Sequence, residues 1–202
     1  MNLTRKLVAL LCVIALALTL TGCASSNVIT NPNDIPIDYD TSRLIVFEIE
    51  LEDGSVVTGE LYPLVAPITV RNFVKLVESG YYNGVTFNRV LADKVVQCSG
   101  NPDIEDEYTI RGEFKDNGWK NTLSHVRGTI ALSHVEGEYD SGYSTFFVLL
   151  ENRTYYDGEY APFGVITDGL IHLDELSRVE VDGTSPVEPQ VIKEIRIIGN
   201  VA

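Results

Sequence analysis

The sequence predicts a mainly β domain, a closed barrel of short strands with two helices as lids. Three observations carry this. Short runs rich in apolar and β-branched residues recur along the chain, broken by glycine and turn residues. Only two segments place their apolar residues at helical spacing, which favours a barrel over a parallel sheet. No P-loop, glycine-rich dinucleotide turn or internal repeat is present.

In chain order, residues 1–22 read as a leader. Arg5 and Lys6 precede an uncharged apolar run from Leu7 to Leu20, the layout of a secretory signal. Leu20-Thr21-Gly22-Cys23 then matches a bacterial lipoprotein processing signature: an aliphatic residue, two small ones and cysteine. Thioether formation needs a soft nucleophile, so Cys23 is expected to carry lipid and become the new N-terminus. Residues 23–42 are polar, contain proline and keep no sustained period, and are expected to form a flexible tether. The folded domain is expected over residues 43–202.

Within that domain "RLIVFEIEL" alternates, with Ile45, Phe47, Ile49 and Leu51 on one side and Glu48 and Glu50 on the other. Asp53-Gly54 supplies the positive φ of a tight hairpin before the return strand "VVTGELY". Pro67 suits the first position of a helix, where its missing N–H costs nothing. Val70, Phe73, Val74 and Val77 then recur at helical spacing and Gly80 ends the run, giving a helix over 66–79 with Arg71, Lys75 and Glu78 outward. Strands are predicted at 85–91, 94–98, 128–133, 145–150, 162–167 and 191–198. A short helix fits "GLIHLDELSRV", where Leu170, Leu173 and Leu176 share a side.

Composition narrows the partners. Loss of Arg5 and Lys6 with the leader takes the formal charge from −14 to about −16, which favours solubility and opposes adhesion to anionic lipid or nucleic acid. The lipid, rather than the protein surface, is expected to hold the domain at the membrane. After processing only Cys98 remains as a free thiol, so no internal disulfide can form, and a buried packing role fits it better than a nucleophile's. His125, His134 and His172 show no metal-ligand spacing, and neither a metal nor a cofactor is expected.

"APITVRNFVKLVESGYYNGVTFNRVL" followed by "KVVQCSGNP" resembles the cyclophilin type of peptidyl-prolyl cis-trans isomerase. The likeness continues through "YTIRGEF", "RGTIALS", "STFFVLL" and "YAPFGVITDGL", in family order, over roughly residues 43–198. The resemblance implies an eight-stranded antiparallel barrel capped by two α-helices. Arg89 falls on the family's catalytic arginine, Gln97 on the glutamine that helps hold that arginine and the substrate backbone, and Phe147 on the aromatic floor under the proline ring. Val95 stands where the pocket commonly has methionine. Tyr156 and Tyr160 replace the leucine and histidine of the pocket wall, and Tyr155 replaces the tryptophan associated with cyclosporin binding.

Other positions depart further. Lys94 sits where an aromatic pocket residue is usual, Thr145 replaces a longer glutamine, and Ser133 and His134 occupy the short backbone-binding segment. Leader and resemblance together lead to the expectation of a lipid-anchored, extracytoplasmic and monomeric prolyl isomerase acting on proline-containing segments of exported proteins, with reduced activity. The alternative is a catalytically weak module or chaperone-like lipoprotein that binds such segments.

Overall fold

The computed structural model describes residues 27–104 and 107–201. The leader, Cys23 and the start of the 23–42 segment lie outside the described residues. The strands are β1 (Val28–Ile29), β2 (Ile45–Leu51), β3 (Val56–Leu61), β4 (Phe87–Leu91), β5 (Val95–Cys98) and β6 (Thr109–Ile110). Further along come β7 (Thr129–Leu132), β8 (Phe146–Leu149), β9 (Ala161–Asp168), β10 (Val181–Asp182), β11 (Ser185–Pro186) and β12 (Ile192–Asn200). The helices are α1 (Pro67–Glu78) and α2 (Leu170–Ser177). The expected strands are all found with ends displaced by one or two residues, and the two-residue strands are additions that the sequence pattern is too short to reveal.

Eight strands form one antiparallel sheet in the order β12-β2-β3-β9-β7-β8-β5-β4. The expected closure holds only in part. Its two edges meet through a single bridge, Thr86 with Val191, and neighbouring backbone bonds such as Phe87 N to Gln190 O at 2.8 Å. The curl comes from alternation: Ile45, Phe47, Ile49 and Leu51 are buried while Glu48 and Glu50 lie on the opposite face and pair with Arg196. Gly54 adopts φ of 87° in the β2–β3 turn, as Asp53-Gly54 predicts.

Helix α1 plugs one end. Phe73 is 1% exposed and meets Phe47 and Phe146 edge-on at 5.6 and 5.7 Å between centroids. Gly80, at φ 72°, ends the helix, with Tyr81 N donating to Leu76 O and Gly80 N to Val77 O. The N-terminus is unusual: Ala66 offers no side-chain cap. Instead the buried Glu113, far away in sequence, accepts from Ile68 N at 3.0 Å and Thr69 N at 2.8 Å.

The segment 27–42 is a strap seated on the domain rather than a free tether. β1 pairs in parallel with β6, Ile35 is fully buried, and Ile29, Ile37 and Tyr39 pack against the same core. Arg71, expected to face solvent, reaches back from α1 to Ile35 O at 3.1 Å and Thr41 Oγ1 at 3.2 Å. The apolar residues of the strap follow neither helical nor strand period because an irregular segment presents them one at a time. Ile35→Ala should therefore cost about 2–4 kcal/mol in urea unfolding. A change under about 0.5 kcal/mol would show that the strap contributes no packing.

Candidate active site

A bulge makes the site possible. Phe87 pairs with Cys98 and Arg89 with Gln97, so one extra residue, Asn88, is inserted in β4. Phe87 and Val90 both join the main core despite their odd spacing, and Arg89 and Leu91 turn to the outer face. Asn88 Oδ1 holds the distortion by accepting from Ser99 N at 3.1 Å. The charges inside the run "TFNRVLADKVVQC" thus belong to a strand that serves two faces.

On that outer face the register sets up a row. Arg89 lies opposite Gln97, Gln97 opposite Phe147, and Phe147 opposite Ala131. Val95, Ala131, Phe147 and Leu149 form a second, smaller apolar cluster, flanked by Leu91, Tyr156 and Tyr160. A cleft of about 170 Å³ opens above this cluster, lined by Arg89, Val95, Gln97, Ser133, Phe147, Tyr156 and Tyr160. Seven of the residues singled out from the sequence therefore share one site.

Phe147 is 4% exposed and meets Tyr160 edge-on at 5.4 Å, so floor and wall form one aromatic corner. Burial first, then Tyr156, Glu159 and Glu136, raise the pKa of the Tyr160 phenol, while the nearby charge of Arg89 works the other way. The wall is thus a neutral surface beside a cation. Among the described residues, no carboxylate pairs with Arg89. The guanidinium keeps its fork of donors for whatever enters.

Four expected pocket residues lie elsewhere. Lys94 is exposed in the β4–β5 turn, its carbonyl accepts from Leu150 N, and Val95 rather than Lys94 lines the cleft. Thr145 contributes its carbonyl to Ser133 N at 2.8 Å and its side chain is not in the cleft lining. Tyr155 is 64% exposed on the outer side of Tyr156, tied to Arg153 Nη1 at 2.6 Å. His134 stands behind Tyr160, its ring nitrogens at 2.8 Å from Val135 O and 2.7 Å from Glu159 O. Gln97 shares the face with Arg89, but its amide donates to Ser99 Oγ at 3.3 Å rather than holding the guanidinium.

Cys98 is fully buried and desolvation pushes its thiol up to about 12, which fits packing and not nucleophilic chemistry. Sequence reasoning missed the supports behind the wall. Arg153 donates to Tyr155 and Tyr156 and pairs with Glu151, while His125 and Asp157 lock together beneath the aromatic corner. No local pattern marks them: Arg153 works on neighbours two and three residues away without any recognisable motif, and His125 reaches Asp157 across 32 residues.

The fold is that of a known class. The model for "Cyclophilin type peptidyl-prolyl cis-trans isomerase/CLD" matches residues 46–197, and the chain belongs to that family. Peptidyl-prolyl cis-trans isomerase B of Bacillus subtilis is 35% identical over 156 residues, covering 74% of this chain and 95% of that protein. A Helicobacter pylori peptidyl-prolyl cis-trans isomerase is 36% identical over 142 residues, covering 66% and 81%. A crystal structure of a Cryptosporidium parvum cyclophilin superposes with a TM-score of 0.68 at 24% identity, covering 78% of this chain and 99% of that one, and shares the fold. By membership of this family the protein is a peptidyl-prolyl cis-trans isomerase.

Proposed function

We propose that the cleft at Arg89 is where isomerisation occurs, and that Arg89 lowers the barrier by hydrogen bonding to the prolyl nitrogen. The observation that carries this is the guanidinium, without a carboxylate partner among the described residues, set in one cross-strand row with Gln97 and Phe147. An X–Pro amide resists rotation by about 18–20 kcal/mol because its nitrogen donates into the carbonyl. As the bond twists, that nitrogen becomes pyramidal and regains its lone pair. A donor aimed at it binds the twisted state more tightly than either planar isomer. Phe147 holds the ring, Val95, Tyr156 and Tyr160 enclose it, and Gln97 and Ser133 offer polar contacts to the flanking backbone. No proton transfer or covalent step is needed.

The substrates in this reading are proline-containing segments of exported proteins, met at the outer face of the cytoplasmic membrane. The leader pattern and the Leu20–Cys23 signature support that placement. Uncatalysed exchange takes tens to hundreds of seconds, so magnetisation-exchange NMR on an X–Pro peptide reads the activity directly. Substoichiometric protein should bring exchange below about one second. Peptide binding with the buffer rate unchanged would leave a binding module instead. Secretion of a soluble mature chain, with Cys23 unmodified by mass, would overturn the membrane placement.

A further inference from the structure

We propose that His125 is a positioning residue for this cleft, holding the Tyr156–Tyr160 wall against Phe147 through its bond to Asp157. The inference rests on the reading of the Arg89 cleft as the active site. His125 is fully buried, and its ring lies nearly parallel to Phe147, 18° between planes and 6.3 Å between centroids. It meets Tyr156 at 5.9 Å and Tyr160 at 6.4 Å, both edge-on. One ring therefore lies against floor and wall together.

The same residue grips both ends of the segment that bears the wall. Its carbonyl accepts from Arg153 N at 2.7 Å, where the turn carrying Tyr155 and Tyr156 begins. Its amide N donates to Asp157 Oδ1 at 2.7 Å, and its Nδ1 lies 2.8 Å from that oxygen. Ser124 Oγ donates to the other carboxylate oxygen at 2.6 Å. Tyr160 N then bonds back to Tyr156 O, so the placement of the turn fixes both tyrosines.

A plain packing role does not account for a histidine here. Its Nε2 is buried with no partner among the described residues, a cost that a phenylalanine of similar shape would avoid. What only the imidazole supplies is the Nδ1–H bond to Asp157. Burial lowers the pKa of the ring against the pull of Asp157, and keeps it a neutral single donor. Asp157 is in turn held ionised: burial raises its pKa, but bonds from Ser124 and His125 outweigh that and leave it below its ordinary range.

The test compares substitutions that separate donor from ring. His125→Ala should raise KM for an X–Pro peptide about tenfold with kcat nearly unchanged, because the wall binds the proline in ground and transition states alike. His125→Asn, whose side-chain N–H falls near the Nδ1 position, should bring KM back within about twofold, and His125→Phe should not. Asp157→Ala, at a partly exposed position, should reproduce the KM rise and serves if the His125 variants do not fold. Wild-type KM in His125→Ala or Asp157→Ala would overturn the proposal, as would equal defects in the Asn and Phe variants. If Arg89→Ala is also fully active, the reading of the cleft itself fails. If only Arg89→Ala is inactive, the failure belongs to His125 alone.

Discussion

Arg89→Ala should lower kcat/KM for an X–Pro peptide by about 10²–10³, the loss typical when a preorganised donor to a transition state is removed. The defect should fall on kcat, because the bond to a pyramidal prolyl nitrogen exists only in the twisted state. Stability should move by less than about 0.5 kcal/mol, since Arg89 is half-buried and has no carboxylate partner among the described residues to leave behind. Arg89→Lys should recover only part of the rate: it keeps the charge but loses the planar fork. Phe147→Ala gives the contrasting profile, a raised KM, because the floor grips the ring in both planar isomers as well as between them. Exchange NMR with titrated peptide separates the two parameters. An Arg89→Ala enzyme with wild-type kcat would place the chemistry elsewhere.

The family motif made the cleft legible because its members are close in sequence to the strands that carry them. Arg89 and Gln97 sit on adjacent strands of one hairpin, and Phe147 joins them through the next ladder. What remained hidden was geometry that a linear pattern does not encode. The bulge at Asn88 decides which face Arg89 occupies, yet a one-residue insertion leaves no compositional mark. Lys94 and Tyr155 match pocket positions in the alignment of motifs, but one falls in a turn and the other on the outer side of the wall. The strap looks like a tether in sequence because periodicity is the signal for structure, and irregular chain can bury Ile35 without any. His125 and Glu113 act across tens of residues, so their roles emerge only once the chain has folded.

Glu113 carries the second large effect, on stability. Its carboxylate replaces the missing cap of α1, taking two amide N–H groups that Ala66 cannot satisfy. Glu113→Ala should therefore cost about 2–4 kcal/mol, from two buried donors left without acceptors. The pH dependence has a definite sign. Burial pushes this carboxyl from 4.5 up to about 7, against the pull of the Ile68 and Thr69 amides and of Arg111. The folded state thus holds the proton more tightly than the unfolded chain does. That contribution is fully present below the ordinary carboxylate range and is lost as pH rises through about 7. The difference is worth about 3 kcal/mol between the two limits. His125 pulls the other way over part of the same window: its lowered pKa makes the folded state poorer in protons, so its contribution is lost as pH falls. The clean quantity is consequently the stability of wild type minus that of Glu113→Gln, from urea midpoints at pH 5 and pH 8. This difference should shrink by about 2–3 kcal/mol on going to pH 8, since glutamine does not titrate. Parallel pH profiles for the two proteins would show that the helix terminus, with its aligned amides, holds Glu113 ionised throughout.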